Sequence, residues 1–252
     1  MIAEAALLRR DDMSGYLPLD PAFTVEVQKP PPPLAAALEA RIEEIWQAER
    51  RRLGERLFNG PVLSLVACTP NRLQVRYADY RQLVARRRAP ELAAALQLRP
   101  LAVTGLFTCH DGVVFGRRAA HLANDPGAWE TAPSGGLAHP EPQRQVLEEL
   151  EEELGLSADQ VSPPQAFGML WAAADGWEEA DGVHDILFRL TSPKSGAEIV
   201  AAHRNSGSDE YSELAIVPPQ RLETFLEDRG GNLVPLVRPL LERGLGLAPK
   251  PR

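Results

Sequence analysis

The spacing of apolar positions changes along the chain, and each change predicts an element. Residues 29–34, KPPPPL, are the first clear break. Proline lacks an N–H donor and fixes its own backbone, so this run is extended. We read it as a stiff spacer rather than a ligand for a proline-reading partner. From there to about residue 56, Leu38, Ile42, Ile45 and Trp46 recur at helical spacing among charges. Gly60-Pro61 ends that pattern, and VLSLVAC and RLQVRYA predict two strands joined around 69–72. A second helix is expected from near Asp79, through DYRQLVARRRAPELAAALQ. Its Arg86, Arg87 and Arg88 either bind a phosphate or line a solvated face, and the second is the commoner use of such a run.

Beyond about residue 100 the pattern becomes strand-rich. LAVTGLFTCHDGVVFGRR reads as a strand, a turn at Asp111-Gly112 and a second strand. NDPGAWETAPSGGL reads as loop, and EPQRQVLEELEEELG as a helix that stops at Gly155. QAFGMLWAAAD, HDILFRLTS and ELAIVP predict further strands. PQRLETFLED and NLVPLVRPLLERGLGL predict closing helices. This order predicts an α/β chain: a mixed sheet with helices on its faces over 100–252, preceded by a smaller α/β lobe over 1–99.

Composition narrows the function. A net charge of -8 argues against a nucleic-acid binder. Any phosphate chemistry then needs a mediating cation or a local group of arginines. Cys68 and Cys109 have no zinc or disulfide spacing and fit a reducing cytoplasm. No run approaches the roughly 20 apolar residues of a membrane span. A soluble cytoplasmic protein is the expectation.

The chemistry concentrates in residues 145–156, QVLEELEEELGL, where five of twelve residues are glutamate. At about 100° per residue, Val146, Leu147, Leu150 and Leu154 share one side of a helix and predict its buried stripe. Glu149, Glu152 and Glu153 gather on another, and Glu148 and Glu151 flank them. No basic residue at i+4 relieves the three. A solvated acidic face is the simpler reading. A hard divalent cation such as magnesium, which takes oxygen ligands, is the other.

Gly135-Gly136, Glu141 and EELEEELGL resemble the box of the Nudix hydrolases. Glu149, Leu150, Glu152, Glu153, Gly155 and Leu156 match its second half. FTCHDGVVFGRR resembles the hairpin of that family, WETAPSGG the approach to the box, and SELAIVPPQRL its late strand-to-helix step. Two departures stand out. Glu148 replaces the box arginine, and the loop after Gly136 is one residue shorter than the usual pattern. GGLAHPEPQ, together with IEEIWQAERRRLGERLFNGP and DYRQLVARR, is similar to an atypical branch that cleaves UDP-glucose and UDP-galactose.

The resemblance implies a Nudix αβα sandwich and a magnesium-dependent pyrophosphatase, with manganese as the other metal. Its substrate would be a nucleoside diphosphate sugar, its products a nucleoside monophosphate and a sugar 1-phosphate. It implies Glu149, Glu152 and Glu153 as metal ligands. The base would be Glu149, Glu153, or a later-loop acid: Glu210 on the atypical pattern, Glu213 on the general one. Gly135, Gly136, His139 and Glu141 would touch substrate, and Trp177 would stack on a base. Other substrates of this class (ADP-ribose, NADH, coenzyme A) and a non-catalytic nucleotide-binding protein stay open. A homodimer is left open; a nucleic-acid or membrane partner is not expected.

Overall fold

The computed structural model describes residues 14–54, 57–172 and 182–248. Its large sheet is built around a hairpin, β5 (Leu101–Cys109) and β6 (Gly112–Arg118). Valine, leucine and phenylalanine alternate along both strands, so one set of side chains faces each side of the sheet. Here and below, strands and helices are numbered in chain order. Parallel to β5 runs β10 (His184–Thr191), and antiparallel to β10 runs β9 (Gln165–Ala172). The edges are β1 (Ser14–Leu17), on β9, and β11 (Tyr211–Val217), on β6. Two short strands complete it: β7 (Trp129–Thr131) pairs with β6 and β8 (Ser134–Gly136) with β5.

Each face has its own core. On one side Val103, Phe107, Met169, Ile186 and Phe188 meet Val146, Leu150 and Leu154 of α4 (Pro142–Leu154) and Ile199 of α5 (Gly196–Ser206). On the other, Leu106, Phe115, Leu170 and Leu187 meet Phe225 and Leu226 of α6 (Leu222–Arg229) and Leu240 and Leu241 of α7 (Val237–Leu245). The result is a helix–sheet–helix sandwich with a mixed sheet.

The earlier residues form α1 (Ala36–Leu53) and a three-stranded sheet in the order β2 (Thr24–Val27), β4 (Arg72–Asp79), β3 (Pro61–Thr69). This sheet joins the large one through Leu63 N to Leu137 O, 2.9 Å, and Leu65 N to Arg99 O, 2.8 Å. Leu63, Leu65, Leu73 and Val75 share the core that holds α4.

Several expectations are corrected. The helix expected from Asp79 is three pieces: α2 (Tyr80–Arg88), a turn of 3-10 helix at Pro90–Leu92, and α3 (Ala93–Leu96). Pro90 cannot continue the ladder, so the helix ends before it. The glycine- and proline-rich 124–137 stretch carries β7 and β8. Neither strand is long enough to show alternation. The strand containing LAIVP starts at Tyr211, so Glu213 lies within it. α5, with Ser195 and Glu198 as its capping box, is a helix additional to those the apolar pattern predicts. No helix among the described residues is long and apolar enough to cross a membrane.

Candidate active site

α4 carries the acidic face. Pro142 sits in its first turn, and Gly155 ends it with φ 66°, a left-handed conformation that favours glycine. Val146, Leu150 and Leu154 are fully buried. At roughly 1.5–3 kcal/mol each, their burial outweighs repulsion of roughly 0.2–0.5 kcal/mol per like-charged pair. The helix therefore forms with its glutamates side by side.

The three glutamates differ in setting. Glu153 is only 2% exposed and accepts a hydrogen bond from Ser134 N at 3.0 Å. Burial, with Glu130 and Glu149 nearby, pushes its carboxyl well above the usual range. Glu149 accepts from Gln145 Nε2 at 2.9 Å, and the same amide's Oε1 accepts from Ala138 N at 3.2 Å. Burial is the main reason that Glu149 is raised to about 7; Gln145 opposes it, and Glu152 and Glu210 add to it. Glu152 is exposed. None of the three forms an ion pair among the described residues.

The β8 strand fits against this face. A Cβ on Gly135 would overlap the Glu149 carboxylate, so glycine leaves that carboxylate its place beside the strand. Gly136 has open space around it and pairs with Ala102.

The replacement of the box arginine by Glu148 has a local solution. Glu148 receives His139 Nε2 at 2.9 Å and Arg144 Nε at 2.7 Å, and these contacts lower its pKa. Arg144 Nη1 also reaches Glu141 at 3.3 Å. His139 and Glu141 thus link the loop to the helix through an acid.

Glu210 and Glu213 part company. Glu210 lies just before β11, half-buried, and its backbone carbonyl accepts from Ala119 N at 2.7 Å. Burial and then Glu152 raise its carboxyl. Glu213 belongs to β11 itself. Alternation puts it on the face of Ala215 and Val217, and it lies 3.7 Å from Arg117. It is not brought to the acidic face. Trp177 lies outside the described residues. Trp171 stacks on His184 with ring centroids 5.3 Å apart.

Sequence reasoning missed Glu130. It is 7% exposed, on β7, and accepts from Arg118 Nη1 at 2.6 Å. Burial raises it and Arg118 opposes that. The arginines closing FGRR were the one available signal, since a cation at a strand end needs a partner.

The glutamates fit a hard cation by chemistry: oxygen donors only, two of them desolvated and mutually repelling, with no cationic side chain of the described residues paired to them. They do not form a closed cage. Among the described residues no group of three or more His, Cys, Asp or Glu side chains is arranged to hold a metal ion.

No model of a protein family matches the chain, and neither does any curated protein. Solved structures do. A MutT protein of Methanosarcina mazei Go1 is 20% identical over 57% of this chain and 90% of its own, with a TM-score of 0.43. A Nudix hydrolase of M. smegmatis is 16% identical over 60% of this chain and 89% of its own, at 0.39. A bifunctional NMN adenylyltransferase/ADP ribose pyrophosphatase of Francisella tularensis is 12% identical over 59% of this chain and 48% of its own, at 0.35.

Proposed function

We propose that the chain is a Nudix-type pyrophosphatase whose substrate is a nucleoside diphosphate sugar. The observation that carries this is the pair Glu149 and Glu153. Both are desolvated carboxyls on one helix face, pressed against β8, and no cationic side chain of the described residues pairs with them. A solvated acidic face would keep its charges in water.

Glu149, Glu152 and Glu153 would hold magnesium. When bound, the ion supplies charge neutralisation at the diphosphate and lowers the pKa of an attacking water. The chain's own residues do the rest. Ser134 N fixes one oxygen of Glu153, and Gln145 fixes Glu149 while tying the helix to Ala138. Glu210, whose carboxyl is raised by burial and then by Glu152, is the candidate to take a proton from the attacking water. His139 borders the approach. The sugar preference rests on the resemblance of GGLAHPEPQ and of the first hundred residues.

The test is hydrolysis in magnesium of UDP-glucose, ADP-ribose, NADH and coenzyme A, with products separated by chromatography. UMP and glucose 1-phosphate as the fastest-formed products are the expected result. Faster turnover of another member would keep the pyrophosphatase and replace the substrate. Binding of these compounds without turnover of any would favour the non-catalytic reading.

A further inference from the structure

We propose that Arg87 of α2 and Arg118 of β6 together clamp a phosphate oxygen of the substrate, so that the segment before residue 100 supplies part of the active site. The inference rests on the pyrophosphatase reading and names a binding group that reading lacks.

The three arginines of α2 have separate fates. Arg86 is buried and donates to Leu98 O at 2.6 Å. Arg88 pairs with Glu49 at 2.9 Å. Arg87 leaves its own lobe: its Nη1 donates to Asn124 Oδ1 at 3.3 Å. Arg118 binds the same residue, its Nε donating to Asn124 O at 3.1 Å. One asparagine therefore gathers two guanidiniums from opposite sides of the interface.

The pair stands beside the acidic face. Arg118 Nη1 is held by Glu130, which neighbours Glu153, and the next residue, Ala119, is bonded to Glu210. Glu130 pairs with one side of Arg118, whose charge still acts on Arg87. No carboxylate of the described residues lies within ion-pair distance of Arg87. Tyr80 and Asp125 are its other polar neighbours, and Arg118 repels it. Burial lowers the pKa of Arg87, so it is a desolvated cation facing a like charge. An anion between the two guanidiniums would settle that repulsion. The planar fork of arginine suits phosphate oxygens. The diphosphate, bound to magnesium on the glutamates, would extend towards them.

The test uses the full chain and inorganic pyrophosphate, the group common to all candidate substrates, titrated calorimetrically in magnesium. Arg87→Gln should weaken binding roughly 10- to 100-fold, the scale of a charged hydrogen bond. It should raise KM for the best substrate by a similar factor. Arg87→Lys, keeping charge without the fork, should recover part of both. Unchanged pyrophosphate affinity in Arg87→Gln overturns the proposal, as does a wild-type protein that binds no pyrophosphate. Equal losses in both variants together with a lowered Tm would assign Arg87 a structural role and overturn it too. If the wild type hydrolyses nothing yet binds pyrophosphate through Arg87, the clamp stands and the catalytic reading falls.

Discussion

At the scale of single residues, the decisive fact is that burial sets the charge of the acidic face. Glu149 in the folded protein titrates near 7, against an ordinary 4.5. Its proton is bound more tightly when folded, so in metal-free protein this group's contribution to stability is full below pH 4.5 and is lost as pH rises through 7. The shift amounts to about 3 kcal/mol. Asp185, bonded to Thr104 at 2.9 Å and raised by burial to about 7, acts in the same direction. Denaturant unfolding in EDTA should therefore show lower stability at pH 8 than at pH 5, and Glu149→Gln should flatten the slope. An identical slope in wild type and Glu149→Gln would show Glu149 to be solvated, since His184, lowered by burial to about 4, contributes in the opposite direction in both. The grouping of Glu149, Glu152 and Glu153 was legible in the sequence, because helical spacing alone decides it. Their unequal burial was not. It depends on Ser134 and Gly135, which reach the helix from another strand, and on Glu130, hidden in a stretch too short to show a period.

At the scale of elements, α4 and β8 form one unit. Gly135 leaves room for the Glu149 carboxylate, Ser134 N ties Glu153, and the His139–Glu148–Arg144 contacts secure the start of the helix. Gly135→Ala should displace the Glu149 carboxylate and cut turnover far more than it lowers Tm; equal activity would mean that Glu149 has no part in the reaction. Elements with a clear period, such as α4, β5 and β6, were legible from their own residues. β1 and β2, four residues each, were not, since their place depends on distant partners in β9 and β4. Glu213 shows the same limit. Its face is set by where β11 begins and by an irregularity in register between Tyr211 and Glu213.

At the scale of the whole molecule, the described residues of 14–99 are part of the structure that holds the site. β1 caps the edge of β9, and Leu19, Phe23, Leu63 and Leu65 enter the core beneath α4. Fully burying each of these side chains contributes roughly 1.5–3 kcal/mol, a large share of a stability of roughly 5–15 kcal/mol. A chain starting at residue 100 should thus lack a cooperative unfolding transition; one that melts at the full-length Tm would contradict this packing. The central claim is that the acidic face is a metal-dependent hydrolytic site. Its most direct measurement compares turnover of the best substrate by wild type and Glu153→Gln, with and without magnesium. We predict magnesium-dependent turnover in the wild type and a loss of about 100-fold or more in the variant, which remains folded. Turnover that survives Glu153→Gln, or that proceeds equally in EDTA, would contradict the account.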